Sequence, residues 1–317
     1  MNVYRSPAEL PGSSGPSVVT IGNFDGVHIG HREILRRACA IGRERGLAPT
    51  VLTFDPHPAR VLAPDRAPKL IMTIAQRLRS FAAAGIESVL LLPFSLEFAK
   101  LTPAEFAEQI LVLALHARCV MVGDDFRFGH KQAGDIASLQ TLGERWGFTV
   151  EALAAISGGG ERVSSTAIRR FVAAGRVSKA CRMMSAPFAL EGNVVHGYGI
   201  GSKQTVPTLN LAPENELLPG NGVYVTRTLD PATQCEWRSI TNVGFRPTFE
   251  GQELTVETFL LDPPPPEAPA RIEVSFLSFV REERKFDSPD LLKTQIFRDV
   301  GAADRFHRRL ARLRVAY

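Results

Sequence analysis

Cysteine is scarce in this chain, with four among 317 residues. Cys39, Cys119, Cys181 and Cys235 lie far apart and none forms a C-x-x-C pair, which argues against a structural zinc site or a redox dithiol. Unpaired thiols in a reducing compartment are the expectation. No apolar run approaches the roughly 18 residues that span a bilayer. The first residues lack the charged-then-apolar pattern of a secretory leader. No run of about five or six like charges builds a basic or acidic arm, and no internal repeat is visible. These absences leave an ordinary globular protein of the cytoplasm. Its length suits two domains rather than one core. A formal charge of +4 and a pI near 9.0 fit anionic small substrates and decide nothing more. Neither nucleic acid nor membrane is an expected partner, and the expected state is a monomer or weak homo-oligomer.

Most informative is what lies between Phe24 and His31, Phe-Asp-Gly-Val-His-Ile-Gly-His. It follows the β-branched run Val18 to Ile21 and precedes a helical pattern of Ile34, Leu35, Ala38 and Ile41. His28 and His31 therefore sit at a strand-to-helix turn, where a parallel α/β sheet puts its ligands. A helix N-terminus offers unpaired N–H groups and the positive end of a dipole, both suited to phosphate. Gly30 lets backbone approach a ligand. Such a site stabilises charge on a nucleotide phosphate without a covalent step. A histidine pair in a turn is otherwise a solvated or capping pair.

The first half alternates strand and helix signals. Strands are expected at Val18–Ile21, Thr50–Phe54, Ser88–Leu92, Cys119–Val122 and Thr149–Leu153. Helices are expected at His31–Arg45, Thr73–Ala84, after Thr102-Pro103, and at Ser138–Trp146. This alternation implies a doubly wound parallel sheet. Two short helices follow Val163-Ser164-Ser165-Thr166 and run to about Met184. The texture then changes to short β runs broken by Gly, Pro and Asn, which implies a small β-barrel. Examples are Gly192–Val195, Gly222–Thr228, Trp237–Val243, Thr255–Leu261 and Arg271–Phe276. The tail from Asp290 to Val315 reads as one or two helices. The expected division is 1–186 and 187–317.

Loops after parallel strands share one crevice. Three further segments belong there if the strands are right. They are Phe54-Asp55-Pro56-His57-Pro58, Gly123-Asp124-Asp125-Phe126-Arg127-Phe128-Gly129, and the helix start Ser164 to Arg169. Asp55 to Pro58 alone is a stiff turn. Asp125 and Phe128 lie in a mixture suited to an aromatic ring with a charged chain. Ser164, Ser165, Thr166 and Arg169 can cap a helix or bind phosphate through hydroxyls, N–H groups and guanidinium.

Together with Gly22-Asn23-Phe24-Asp25-Gly26-Val27-His28-Ile29-Gly30-His31, these segments resemble, in order and spacing, the bifunctional bacterial FAD synthetases. That family joins an FMN adenylyltransferase domain to a riboflavin kinase domain. The resemblance implies that His28, His31, Ser164, Ser165, Thr166 and Arg169 hold ATP phosphates, with Asn23, Asp25 and Gly30 at the nucleotide site. It implies that Asp55, Pro56, Pro58, Asp125 and Phe128 shape a flavin pocket. FMN phosphate would attack the ATP α-phosphate with Mg²⁺ present and release pyrophosphate. Positioning and charge stabilisation suffice for that chemistry.

The resemblance continues to the end of the chain. Gly192 to Gly197, Pro207 to Leu211, Gly222 to Tyr224, Asn242 to Phe249, Val256-Glu257 and Arg281 to Phe286 match riboflavin kinase in order. It implies that Gly197, Gly201 and Lys203 bind ATP, that Thr208 and Asn210 bind Mg²⁺, and that Glu257 is the base for the ribityl hydroxyl of riboflavin. Oxygen donors suit Mg²⁺, and a positioned carboxylate can take a hydroxyl proton. Without the resemblance, Glu257 reads as a solvent-facing strand residue. The chain departs from the pattern at Thr205, where Gly is usual, at Leu209, where Ala is usual, and in the run Pro263 to Pro266. The expected product sequence is riboflavin to FMN to FAD. One alternative is an adenylyltransferase with a weak or regulatory flavin-binding module. A binding protein on the same scaffold is a third reading that rests on pI alone.

Overall fold

The computed structural model describes all residues except 13–14, 159–160, 196–207, 249–250, 264 and 316–317. Gly197, Gly201, Lys203 and Thr205 thus lie outside the described residues. The chain folds as two compact units, Met1–Lys69 with Ile74–Ser164, and Leu70–Thr73 with Ser165–Tyr317.

The first unit is built on six strands, β1 (Asn2–Tyr4), β2 (Ser17–Ile21), β3 (Ala48–Phe54), β4 (Ser88–Leu92), β5 (Ala117–Gly123) and β6 (Thr149–Leu153). Their order is β1-β4-β3-β2-β5-β6, and every pairing is parallel. The winding reverses between β2 and β5, so the crevice of this sheet opens beside the carboxyl end of β2. Helices α1 (Ile29–Arg45), α2 (Pro58–Leu62), α3 (Ile74–Ala83), α4 (Pro103–Phe106) and α5 (Ile136–Trp146) connect the strands, and β7 (Ser157–Gly158) pairs with β8 (Glu161–Arg162). Adjacent residues of one strand serve opposite cores. Val19 and Val120 pack with Phe106, Leu111 and Leu139, while Val18, Cys119 and Met121 pack with Ile34, Ala38 and Ile41. Burial on both faces is why these strands read as continuous apolar runs.

Local chemistry sets the helix ends. α1 stops at Gly46 in the left-handed region, φ 66°. Thr102 and Glu105 form a reciprocal capping box, at 3.2 Å and 2.8 Å, that starts α4. The chain then winds on from Ala107 to Ala114, where the Leu115 N–H reaches back five residues to the Ile110 carbonyl at 3.0 Å. α5 begins two residues before the expected Ser138. Asp135 is the true cap, accepting the Ser138 N–H at 2.9 Å, and Ser138 fills the other half of the box. β1 was not foreseen; it is three residues long and largely exposed, too short to show alternation.

The second unit begins with α6 (Ser165–Ala173) and α7 (Val177–Met184). A closed antiparallel barrel follows, made of β9 (Phe188–Val195), β10 (Leu209–Pro213), β11 (Gly222–Leu229), β12 (Glu236–Thr248), β13 (Gly251–Leu260) and β14 (Arg271–Arg281). Its order is β10-β13-β12-β11-β14-β9. β12 runs past the expected end at Val243 because residues beyond β11 go on pairing with β13, from Gly244↔Thr255 to Thr248↔Gly251. Pro247 lies in this overhang, which leaves room for a residue that cannot donate. The tail forms one helix, α8 (Pro289–Val315), whose Val300, Ala303 and Phe306 pack on Val223, Val225 and Ile240.

The short segment Leu70–Thr73 belongs to this second unit. Glu216 accepts the Leu70 N–H at 2.9 Å, and the Leu70 carbonyl accepts from Leu217 at 3.1 Å. Asn215 donates to the Ile71 carbonyl at 3.3 Å, and the Thr73 hydroxyl donates to the buried Glu191 carboxylate.

Candidate active sites

From β2 the chain enters α1 through left-handed backbone at Phe24 (φ 50°), Gly26 (φ 84°) and Val27 (φ 33°). Glycine tolerates this freely. For Phe24 and Val27 it costs on the order of 1–3 kcal/mol each, and both are held there by side chains only 1% exposed. The Phe24 ring meets Phe81 of α3 at 5.4 Å and His31 at 5.0 Å.

His28 is the N-cap of α1, its Nδ1 accepting the His31 N–H at 3.3 Å. That bond puts the proton of the neutral imidazole on Nε2, which is left as the donor. The two histidine rings stack at 3.7 Å with 13° between their planes. Gly30 suits this stack, since a Cβ there would lie 3.2 Å from the His28 ring and push it by a few tenths of an ångström. His31 Nδ1 is buried with no hydrogen-bond partner among the described residues. Burial lowers His28 to about 4, with Asp125 opposing weakly, and burial plus the His28 neighbour hold His31 well below its ordinary value. Both rings are therefore neutral at pH 7.

A stability prediction follows from that depression. The unfolded histidines titrate near ~6.5, above their folded values. Their contribution is complete above that pH and is lost as pH falls from ~6.5 towards 4. In urea unfolding, the stability gap between wild type and His31→Asn should narrow steadily from pH 7 to pH 4.5. A gap that stays constant would mean that the rings titrate normally.

Two other loops leave the same edge of this sheet. Asp55 follows β3 with a cis bond to Pro56, and Pro58 opens α2 behind His57, whose Nδ1 caps the Ala59 N–H at 3.1 Å. After β5, Arg162 of β8 donates to Asp125 at 2.8 Å and to Asp124 at 3.5 Å, while Asp124 also accepts the Ala155 N–H at 2.9 Å. These exposed ion pairs hold loop geometry more than they add stability. Phe128 is 6% exposed and exchanges two backbone bonds with Gly134, at 3.1 Å and 2.9 Å. Its ring lies between half-buried Phe126, stacked at 5.5 Å, and Phe106 at 5.6 Å. Phe98, Phe94 and Phe54 extend this row of rings.

Arg77 of α3 belongs with these loops and escaped the sequence reading. It is 3% exposed, and its Nη1 donates to the Asn23 carbonyl at 2.8 Å. Burial lowers its pKa, while the charges of Asp25 and Asp55 act the other way. The available signal was a charge on the apolar stripe of α3, three residues after Ile74 and four before Phe81.

Ser164 closes the first unit. Ser165 and Thr166 form the first turn of α6, with Arg169 one turn on, while Ala167, Ile168, Phe171 and Val172 bury the other side.

In the second unit, Asn210 of β10 stands in register with Glu257 of β13, and Glu257 stands in register with Asn242 of β12. Val256 and Thr258, at 1% and 0% exposed, point into the barrel, so half-buried Glu257 points outward. Asn210, Glu257 and Asn242 thus form a polar row across three strands. Thr208 is exposed just before β10. A Cβ on Gly244 would run into the Glu283 carboxylate, which places a second acid beyond Asn242 on the same face. Beneath the row, Thr228, Ser239, Thr226, Thr241 and Thr258 form an interior chain of hydroxyls spaced 2.8–2.9 Å. Asn242 and Glu283 were not singled out from the sequence; strand register reveals Asn242, and the close approach to Gly244 reveals Glu283.

Among the described residues no cluster of three or more His, Cys, Asp or Glu could hold a metal ion. A cation beside Asn210 would rely on the Thr208 hydroxyl, the Asn210 amide oxygen and substrate phosphates, a hard donor set that fits Mg²⁺. No described helix is long and apolar enough to cross a membrane.

Comparison with known proteins adds to this geometry. The FAD synthetase family model matches residues 11–167, and the riboflavin kinase model matches residues 184–307. The bifunctional riboflavin kinase/FMN adenylyltransferase of Escherichia coli (strain K12) is 37% identical over 91% of this chain and 92% of its own. The protein of the same name from Pseudomonas fluorescens is 38% identical over 96% of this chain and 97% of its own. A crystal structure from Streptococcus pneumoniae, described as a macrolide-efflux protein, superposes with a TM-score of 0.85. It is 29% identical, over 95% of this chain and 98% of that one.

Proposed function

This chain belongs to the family of bifunctional riboflavin kinase/FMN adenylyltransferases, and from that premise we propose which of its residues carry the two reactions. ATP phosphorylates riboflavin to FMN, and a second ATP adenylylates FMN to FAD. A flavin-binding module without kinase activity is not favoured, because the riboflavin kinase model matches the second half and the relatives are bifunctional. We assign adenylyl transfer to the first 186 residues and phosphorylation to the rest. The free thiols fit work in the cytoplasm, as a monomer or weak homo-oligomer without nucleic acid.

For phosphorylation, the observation that carries the assignment is the register of Asn210 with Glu257. Glu257 takes the proton of the ribityl hydroxyl as that oxygen bonds to the ATP γ-phosphorus and ADP leaves. Thr208 and Asn210 hold Mg²⁺, which when bound screens phosphate charge. Gly197, Gly201 and Lys203 bind the nucleotide. Leu209 is backbone-paired with Thr258, so its departure from the family pattern sits in an intact ladder.

For adenylyl transfer, an FMN phosphate oxygen attacks the α-phosphorus of ATP and pyrophosphate leaves. The N-terminus of α1 and the His28 and His31 rings face that charge, and His31 Nδ1 is a buried polar atom with capacity to spare. Asn23, Asp25 and Gly30 line the nucleotide end. Ser164, Ser165, Thr166 and Arg169 anchor phosphate. Asp55, Pro56, Pro58, Asp125 and Phe128 shape the flavin end, beside the row of phenylalanine rings.

The test is incubation of the full chain with ATP and Mg²⁺ plus riboflavin or FMN, followed by chromatography of the flavins. FAD from both substrates supports the reading. FAD from FMN alone overturns the kinase half. Arg169→Lys tests the anchor. Lysine keeps the charge without the planar fork, so the Michaelis constant for ATP in FMN adenylylation should rise about tenfold. An unchanged constant would make Arg169 a surface residue of α6.

A further inference from the structure

We infer that Arg77 is a positioning residue for adenylyl transfer, tying the turn after β2 to the loop after β3 and so aligning nucleotide with flavin. The inference rests on the proposed assignment of those loops to the two ends of one site. Arginine is almost never fully buried without partners, and Arg77 is 3% exposed. One partner is the Asn23 carbonyl, at 2.8 Å from Nη1. Asp25, on the same turn and 2% exposed, and Asp55, directly after β3, attract its charge and oppose the effect of burial. One cation from α3 therefore serves loops that leave neighbouring strands. The Phe81–Phe24 edge contact, one turn along α3, fixes the same turn, and Phe24 in turn meets the His31 ring.

The chemistry decides between a positioning role and a phosphate ligand. The five N–H groups of a guanidinium form a rigid planar fork, which can hold the Asn23 carbonyl in a fixed direction while the charges of Asp25 and Asp55 attract it. A guanidinium that is buried and bonded to the Asn23 carbonyl is committed to the turn and is poorly placed to grip a polyanion. Its loss should misalign the reactants rather than loosen the grip on ATP. Misplacement of about 1 Å far from the reacting atoms can cost about 10²-fold in rate.

The experiment compares full-length wild type, Arg77→Met and Arg77→Lys, with FMN, ATP and Mg²⁺. Arg77→Met should lower kcat for FAD formation about 10²-fold while the Michaelis constant for ATP moves less than about threefold. Arg77→Lys, which keeps the charge, should recover about a tenth of the wild-type rate or more. Riboflavin phosphorylation and melting temperature, read on the same preparations, report folding. If Arg77→Met does not fold, Arg77→Lys alone carries the test through its lowered kcat at constant ATP Michaelis constant. Wild-type kcat in both variants overturns the inference. So does a raised ATP Michaelis constant at unchanged kcat, which makes Arg77 a phosphate ligand, and so does a Lys variant as impaired and unstable as the Met variant. No FAD from wild type and FMN overturns the underlying functional reading instead.

Discussion

Glu257→Gln is expected to lower FMN formation from riboflavin by about 10²–10⁴-fold, the span of a lost general base, while FAD formation from supplied FMN stays at wild-type level. Glutamine keeps the shape of the side chain in the row between Asn210 and Asn242 and removes only its ability to accept a proton. The interior hydroxyl chain lies on the opposite face of β13 from Glu257, so the barrel should melt as before. The magnitude separates roles. A carboxylate that only oriented Asn210 would cost about tenfold or less and would be rescued by Gln. Flavin chromatography after timed reactions measures both products, and FMN production within tenfold of wild type would remove Glu257 from the proton-transfer step.

The second large effect is expected at the histidine pair. His28→Ala and His31→Ala should each reduce FAD formation from FMN by at least ~10²-fold, as for removal of one preorganised charge stabiliser, with riboflavin phosphorylation nearly unchanged. His28 carries two functions, since its Nδ1 also caps α1. An Ala cap costs about 1 kcal/mol, too little to unfold a sheet buried on both faces. His28→Asn separates the functions, because Asn caps well and lacks the imidazole. It should restore the melting temperature without restoring FAD. The neutral rings add a pH signature. A polyphosphate arriving beside them favours their charged form, so ATP binding should take up protons and tighten as pH falls from 7 to 6. Titration calorimetry in buffers of different ionisation enthalpy reads the uptake directly. Proton release would contradict the assignment. Equal loss of both activities in either Ala variant would contradict the division of labour near residue 186.

Much of this architecture was legible because its signals are local. The β-branched run ending at Ile21, the His-x-Gly-His turn and the glycine that stops α1 sit within one stretch of chain, and parallel strands buried on both faces announce themselves as apolar runs. The capping box at Thr102 and Glu105 is likewise a four-residue message. Element ends were misplaced where the deciding partner lies outside the element. α5 begins two residues before Ser138 because Asp135 caps it, and β12 runs past Val243 because β13 goes on pairing with it. Asn242 and Glu283 fell within the matching segments but were given no role, because their place beside Glu257 comes from pairing and contact across strands, which no single stretch encodes. Arg77 was overlooked for a related reason. Its partners Asn23, Asp25 and Asp55 lie 54, 52 and 22 positions away in sequence, and the hint left in its own helix is one misplaced charge.

The segment Leu70–Thr73 limits how this protein can be cut. A fragment beginning at residue 187 keeps every strand of the barrel, and by sequence alone it is a complete module. It would nevertheless lose the Thr73 hydroxyl from the buried Glu191 carboxylate, the Ile71 carbonyl from Asn215 and the Leu70 amide from Glu216. Each lost hydrogen bond costs roughly 0.5–1.5 kcal/mol, which together is a sizeable fraction of the stability of a small domain. The excised half would be short of a piece encoded more than a hundred residues upstream. A weak or aggregating fragment would then report a missing strap rather than a feeble kinase.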